Sequence, residues 1–244
     1  MNAISRKELL SALEQAVPRR ILLDSDEAMH PFECDGLSMY RRLPLMVALP
    51  ENAAQVRGIL RTCDRLGVPV VTRGAGTGLS GGALPLEDGL LLVLSRMNRI
   101  LEIDSDNRTA RVEPGVRNLA VSEAVAPLGL YYAPDPSSQI ACSIGGNVAE
   151  NSGGVHCLKY GLTTNNLLGL QVVLMDGEIV DLGGKHLDTV GVELRPVRRI
   201  AARQLDTEVL GRDGIAILQA RVPDRQLRDP GVFRNQARHV VGVA

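Results

Sequence analysis

The chain has 244 residues, of which 45% are hydrophobic and 23% charged, and its formal net charge is -1. This balance is typical of a folded protein of one or two domains and excludes a disordered or fibrous chain. The near-neutral charge and an aromatic content of 2% argue against a nucleic-acid surface, and no apolar run reaches the ~18 residues that span a bilayer.

Cysteine usage and the N-terminus indicate the compartment. The four cysteines have no CxxC pair and no zinc-finger spacing, and the first residues do not resemble a signal peptide. We therefore expect a cytoplasmic protein without a transmembrane segment, a disulfide or a metal site. The cysteines are Cys34, Cys63, Cys142 and Cys157.

The first part of the chain alternates helical and extended patterns. Its predicted elements are a helix at 5–17, a strand at 45–49, a helix from Asn52 to Gly67 and a strand at 68–72. Ser5 and Glu8 form a capping-box pair at the start of the first helix. The strand–helix–strand order that follows is typical of parallel strand pairing.

The later part of the chain is richer in strand patterns. Its predicted elements are strands at 90–95, 99–104, 109–113, 167–174 and 178–182, with a helix from about Val116 to Leu128 that Gly129 ends. Asp176 and Gly177 separate the last two strands and predict a hairpin with a type I′ turn. The whole pattern predicts an α+β fold with mixed sheets.

A dense cluster of glycines follows the strand predicted at 68–72. Residues 73–83, which we name the glycine loop, read RGAGTGLSGGA. Because glycine tolerates positive φ, such a loop turns backbone N–H groups toward one point, as in sites for a diphosphate or dinucleotide. No Gly-Lys-Ser/Thr follows, which excludes a P-loop, and Pro85 disfavours a Rossmann fingerprint. The alternative is a flexible surface turn.

A second segment of small residues runs from 132 to 154, and we name it the small-residue segment. Two prolines enclose Asp135 in a rigid turn, and Gly145 and Gly146 permit close approach of the backbone to a ligand. The alternative is a buried tight corner, since glycine and proline interrupt loops in any fold.

Several long motifs resemble those of a known family. They are ECDGLS at 33–38, PVVTRGAGTGLSGGALPLE at 69–87, ARVEPGVRNLA at 110–120, YYAPDPSSQIACSIGGNVAENSGGVHCLKYGL at 131–162 and DGE at 176–178. They resemble the FAD-binding domain of the p-cresol methylhydroxylase/vanillyl-alcohol oxidase (PCMH) type, and within it the FAD-linked subunits of glycolate oxidases. The resemblance covers residues 40–191, after an N-terminal helical segment at 1–39, and implies two α+β subdomains with mixed sheets.

The resemblance also implies a cofactor and its site. FAD would lie between the two subdomains, bound non-covalently because Ala75 and Thr77 stand in the first loop, where some relatives carry a flavin-linking His or Cys. Its diphosphate would contact Arg73, Gly74, Ala75, Gly76, Thr77, Gly78, Gly81 and Gly82. Its ribityl chain and flavin would contact Pro134, Asp135, Ser137, Ser138, Ala141, Ser143, Gly145, Gly146, Asn147 and Gly154.

The chemistry of the resembling family is oxidation of a 2-hydroxy acid, glycolate or D-lactate, with hydride transfer to flavin N5. The family's catalytic and metal-binding residues come from a C-terminal cap domain that has no match here, so the sequence assigns none. Sister subunits, including an iron-sulfur protein, would accept the electrons and hold the chain at the inner face of the plasma membrane. The alternative is a non-catalytic FAD-binding fragment.

Other reactive side chains are expected to be structural. His156 and Cys157 are adjacent, and in an extended segment adjacent side chains point to opposite faces, so we expect packing or a local hydrogen bond. Lys159 and Tyr160 are expected to lie either near the adenine side of the cofactor or in solvent. Glu33, Cys34 and Asp35 are expected to form a structural corner rather than an acid–base group.

After Gly191 the resemblance stops. Residues 192–244 are rich in arginine, lack lysine and contain one aromatic residue, Phe233. We interpret them as the product of a frameshift, because off-frame translation of GC-rich DNA yields sequences that are rich in arginine and poor in lysine. The alternative is a basic tail or short helical domain with a helix at 197–210. Either origin predicts an absent cap domain, an incomplete second sheet and a partly uncovered flavin.

Overall fold

The computed structural model describes residues 4–184 and the strand at 215–221. Its helices are α1 (Arg6–Glu14), α2 (Asp26–Met29), α3 (Ala53–Leu66), α4 (Asn118–Val125), α5 (Ile144–Glu150) and α6 (Cys157–Tyr160). Its strands are β1 (Leu22–Leu23), β2 (Met46–Ala48), β3 (Val70–Arg73), β4 (Leu90–Val93), β5 (Ile100–Asp104), β6 (Thr109–Val112), β7 (Gly169–Val173), β8 (Ile179–Gly183) and β9 (Ile215–Arg221). The chain divides into two compact units, built mainly from Met1–Met97 and from Asn98–Gln171.

The first unit contains a four-stranded sheet in the order β1-β2-β4-β3. Strands β2 and β3 both run parallel to β4, and β1 runs antiparallel to β2. The parallel arrangement predicted around α3 is therefore present, although β4 lies between the two predicted strands. Every residue of β4 is buried, which suits a strand with parallel neighbours on both sides.

The caps of α1 follow the sequence closely. The backbone N–H of Ser5 donates to the Glu8 carboxylate at 2.9 Å, and the N–H of Glu8 donates to Oγ of Ser5 at 3.3 Å. This confirms the predicted capping box. The helix ends at Glu14, before the predicted end. Pro18 has no N–H to donate to Glu14 O, and it disfavours helical geometry at Val17.

Helix α3 and the apolar core beside it position the glycine loop. Asn52 caps α3 as predicted, and Gly67 ends it with a φ of 66°. The core is made of fully or nearly fully buried side chains: Met29, Val47, Leu49, Val71, Leu91 and Val93. Strand β3 is anchored in this core, so the loop that leaves it starts from a fixed point.

The second sheet has five strands in the order β5-β6-β9-β7-β8. Strand β6 pairs antiparallel with both β5 and β9. The two sheets confirm the predicted α+β class. Strand β9 lies within residues 192–244 and joins the second sheet, which was expected to be incomplete. The helix predicted at 197–210 lies outside the described residues.

Helix α4 is shorter than predicted. It spans Asn118–Val125 and continues as a 3-10 turn at Ala126–Leu128, which Gly129 ends with a φ of 74°. Pro127 has no N–H to donate to an α-helical turn, so the backbone tightens there.

The hairpin between β7 and β8 is confirmed, but its predicted turn type is wrong. The N–H of Gly177 donates to Leu174 O at 2.9 Å, and the N–H of Leu174 donates to Glu178 O at 2.8 Å. Gly177 has a φ of 83°, whereas Asp176 is not among the residues with positive φ that a type I′ turn requires. The loop is one residue longer and follows the type I turn plus G1 bulge pattern.

Two further findings concern the described part of the chain as a whole. No helix in it combines the length and apolar character needed to cross a bilayer. All four cysteines lie in it as free thiols.

Candidate functional site

The glycine loop leaves β3 at Arg73 and presents a row of backbone N–H groups. Gly76 and Gly81 have φ values of 69° and 75°, the left-handed conformation expected of this loop. Within the described residues, the N–H groups from Ala75 to Gly82 donate no hydrogen bond to the protein. The loop therefore offers a set of uncharged N–H donors from which the oxygens of a phosphate group could accept hydrogen bonds.

Arg73 lies on the inner side of this loop. Its guanidinium donates to Cys34 O at 2.6 Å, lies 5.9 Å from the centre of the Phe32 ring, and occupies the space where a Cβ of Gly76 would stand. Burial lowers the pKa of Arg73, and the negative charge of Asp35 opposes this shift. The side chain of Arg73, which was predicted to contact the diphosphate, thus packs against the loop at Gly76.

The small-residue segment in the second unit contains a helix that the sequence analysis missed. Ser143 caps α5 by accepting a hydrogen bond from Gly146 N at 3.3 Å, and Asn151 ends the helix with a φ of 53°. The Gly145–Gly146 pair weakens the sequence signal for this helix, because glycine has a low helix propensity. The cap residues Ser143 and Asn151 are the signals that could have revealed it.

The two adjacent glycines of α5 have different surroundings. A Cβ on Gly145 would lie 2.8 Å from Pro114 Cβ, and the N–H of Gly145 already donates to Pro114 O. Among the described residues, a Cβ on Gly146 would meet only the hydroxyl of Ser143, at 3.3 Å. Packing therefore explains Gly145, whereas Gly146 keeps the backbone accessible to a ligand.

The turn around Asp135 is held from several sides. Pro134 O accepts a hydrogen bond of 2.9 Å from Nδ2 of Asn118, a buried side chain that the sequence analysis did not select. A hydrogen bond of 2.6 Å joins Asp135 Oδ2 to Nδ1 of His156. Gly154 lies against the Asp135 backbone. An asparagine at the first position of α4 was the available signal for Asn118.

The serine and alanine positions predicted in this segment form the next turn. Ser138 O accepts hydrogen bonds from the N–H groups of Ala141 and Cys142, both at 2.8 Å. Within the described residues, the N–H groups of Ser137 and Ser138 donate to no protein atom. These two N–H groups therefore remain available to a ligand.

Asn147 provides the clearest test of whether a ligand fits. Its side chain is 2% exposed, and among the described residues its Nδ2 has no hydrogen-bond partner. A buried amide without an acceptor costs about 1–3 kcal/mol, so such groups usually meet a partner. A carbonyl, hydroxyl or phosphate oxygen of a cofactor is a suitable acceptor, and the residues present fit FAD.

The remaining candidates make contacts within the protein. The segment at His156 and Cys157 is the start of α6 rather than extended, but the local hydrogen bond expected of His156 is present. The ammonium of Lys159 lies 5.0 Å from the centre of the Tyr160 ring. Asp35 is buried and accepts backbone hydrogen bonds, which supports a structural corner. The described residues contain no cluster of three or more potential metal ligands.

Comparison with known proteins identifies the family. The family described as FAD binding domain matches residues 44–183. Glycolate oxidase subunit GlcD of Escherichia coli is 63% identical over 191 residues, which are 78% of this chain and 38% of that protein. The Bacillus subtilis GlcD is 45% identical (70% of this chain, 37% of that protein), and a D-lactate dehydrogenase of Archaeoglobus fulgidus is 43% identical (58% and 32%). The chain thus spans well under half the length of these relatives.

Solved structures with low sequence identity show the same fold. An alkyldihydroxyacetonephosphate synthase aligns with a TM-score of 0.71 at 19% identity, covering 89% of this chain and 40% of that one. Phl p 4.0202, a glucose dehydrogenase, aligns with a TM-score of 0.68 at 20% identity, covering 88% and 44%. These likenesses show the fold. The match of the FAD-binding family over residues 44–183, more than half of the chain, shows that the chain belongs to the FAD-linked oxidase family, whose cofactor is FAD.

Proposed function

We propose that this chain binds FAD non-covalently and serves an FAD-dependent oxidoreductase that oxidises a 2-hydroxy acid, glycolate or D-lactate. The observation that carries the proposal is the row of unused backbone N–H groups from Ala75 to Gly82, inside the matched FAD-binding domain. The relatives named as glycolate oxidase subunits and a D-lactate dehydrogenase support this substrate class.

The glycine loop is proposed to hold the diphosphate. Its residues carry little side-chain bulk, and the left-handed conformations at Gly76 and Gly81 allow successive N–H groups to converge. Neutral backbone donors bind a diphosphate without placing a cation in direct contact with it. Arg73 contributes its positive charge from the side of the loop where its guanidinium donates a hydrogen bond to Cys34 O.

The small-residue segment is proposed to hold the ribityl chain and the flavin. Gly146 permits close approach, and the buried amide of Asn147 donates to an oxygen of the cofactor. Ala75 and Thr77 offer no group that forms a bond to flavin, which supports non-covalent binding. Bound FAD would supply the acceptor for the hydride that leaves the substrate α-carbon while the hydroxyl proton passes to a base.

The proposal extends to partners and location. The Escherichia coli relative is named a subunit, and we propose that sister subunits, including an iron-sulfur protein, receive the electrons. The chain would then work on the cytoplasmic side, peripheral to the plasma membrane. Co-purification of tagged chain with an iron-sulfur protein from its own host tests this part, and recovery of the chain alone would contradict it.

One experiment tests cofactor and activity together. The full chain is purified, its visible flavin absorbance is recorded, and denatured supernatant is analysed for released FAD. Dye reduction is then followed with glycolate and D-lactate, with L-lactate as the control. Released FAD with D-lactate- or glycolate-dependent reduction supports the proposal, and a colourless, folded chain that binds no added FAD would overturn it.

A second candidate is FAD binding without turnover. The observation that favours it is the coverage of 38% of the Escherichia coli relative, because the activity of that whole protein need not reside in the matched residues. Released FAD without dye reduction would support this candidate over the first.

A further inference from the structure

We infer that Asp35 and Gly36, which precede the matched FAD-binding domain, are positioning residues that shape the glycine loop for its ligand. The inference rests on the proposed function for the identity of that ligand, but the loop geometry supports it independently. The segment that contains both residues contacts the loop at its start, middle and end.

The first contact anchors the start of the loop. Arg73 is nearly buried, and its Nη1 donates to Cys34 O at 2.6 Å. The guanidinium also lies over the Phe32 ring. Residues that precede the domain therefore contact Arg73 both through a hydrogen bond and through its planar face. The position of Arg73 beneath Gly76 therefore depends on the segment around Cys34.

The second contact sets the direction of the peptide groups in the middle of the loop. A Cβ on Gly36 would lie 2.8 Å from Thr77 O and 2.6 Å from Gly78 O. Both carbonyls therefore lie against Gly36. In a planar trans peptide the N–H points opposite to the C=O, so the N–H groups of Gly78 and Leu79 face away from Gly36. This orientation is what an anion-binding loop requires.

The third contact closes the loop at its end. Asp35 is 5% exposed, and its two carboxylate oxygens accept from Leu37 N at 2.9 Å and from Ala83 N at 3.3 Å. The first bond fixes the local turn, and the second ties the end of the loop to the same residue. The carboxylate also stabilises the buried charge of Arg73. Asp35 thus holds the backbone at the end of the loop and also balances the positive charge of Arg73.

Variants of these two residues separate loop shape from general stability. Gly36→Ala places a methyl group against two loop carbonyls, and Asp35→Asn removes one of two acceptor oxygens while Asp35→Ala removes both. Gly89→Ala is the matched control, because its Cβ would lie 2.9 Å from Pro69 O, a carbonyl outside the loop.

The primary measurement is the set of backbone amide NMR chemical shifts of residues 73–83 in the flavin-free full chain, because these shifts report loop conformation even where an N–H has no hydrogen bond. Gly36→Ala and Asp35→Ala are expected to shift these resonances throughout the loop, with Asp35→Asn intermediate and Gly89→Ala leaving them unchanged. FAD affinity, measured by titration of flavin fluorescence, is expected to fall at least about tenfold for Gly36→Ala and Asp35→Ala, and less for Asp35→Asn. Unfolding by urea shows whether each variant is folded.

The outcomes separate this inference from the proposed function. If the parent chain binds no FAD, the proposed function fails and the amide chemical shifts still decide the inference. Unchanged amide shifts across 73–83 in Gly36→Ala and Asp35→Ala would overturn it, as would an equal effect of Gly89→Ala. If Gly36→Ala does not fold, the graded series at Asp35 decides.

Discussion

Gly154 packs so closely against Asp135 that a Cβ on the glycine would overlap the carbonyl oxygen of the aspartate. The end of the small-residue segment is therefore fixed to the proline-flanked turn near its start. The same carboxylate holds His156, so both a backbone contact and a side-chain contact meet at Asp135. The two contacts differ in how much stability they should contribute.

Gly154→Ala should destabilise the chain by about 1–3 kcal/mol, because the overlapped atom belongs to the backbone and cannot rotate away. His156→Ala should cost less than about 1 kcal/mol, because the imidazole is 55% exposed and water can replace it at the carboxylate. Urea unfolding followed by far-UV circular dichroism measures both. A larger loss for His156→Ala than for Gly154→Ala would contradict this ranking.

The Gly145–Gly146 pair should respond unequally to alanine. Gly145→Ala pushes a methyl group into Pro114 and should lower the free energy of unfolding, whereas Gly146→Ala should preserve or raise it by up to about 1 kcal/mol through helix propensity. If FAD approaches the backbone at Gly146, that variant should nevertheless bind FAD more weakly. Urea unfolding together with flavin titration distinguishes the two effects, and equal stability losses would refute the different packing of the pair.

Asn147→Leu should have opposite effects on stability and on binding. Without flavin, removal of the unpartnered buried amide should stabilise the chain by about 1 kcal/mol. FAD affinity should fall at least about tenfold, because a donor to the cofactor is lost. Asn118→Leu is the matched control and should destabilise the chain, since its amide already bonds Pro134 O. A destabilised Asn147→Leu protein would show that this amide has a partner within the protein.

Alkaline pH should weaken the fold through Cys63. Burial raises the pKa of its thiol from 9.0 to about 12. The thiol therefore ionises more readily in the unfolded chain, so its contribution is intact below pH 9 and is lost as the pH rises toward 12. The slope is about 1.4 kcal/mol for each pH unit. Urea unfolding of the parent and Cys63→Ala across this range should show the steeper decline in the parent, and parallel curves would argue against it.

The elements that local residues specify could be predicted from the sequence. Asn52 and Gly67 delimit α3, and the Ser5–Glu8 pair begins α1, because each cap acts within a few residues of the helix end. The hairpin at Gly177 was found for the same reason, although one additional loop residue changed its turn type. Helix α5 was missed because its glycine pair opposes the helix locally.

The candidate site divides in the same way. The motifs around the glycine loop and the small-residue segment were sufficient to predict the family, and the positive φ at Gly76 and Gly81 followed from glycine itself. The packing of Gly145 on Pro114 and the free amide of Asn147 depend on neighbours that the local sequence does not specify.

By itself the sequence determined the fold class, the family and the two segments that carry the glycines, because motifs and caps are short-range patterns. Only the tertiary structure decided that β4 separates β2 from β3, that β9 joins the second sheet, and that Asp35 accepts a hydrogen bond from Ala83. These features pair residues far apart in the chain, and their energies arise from contacts that exist only after the backbone has folded.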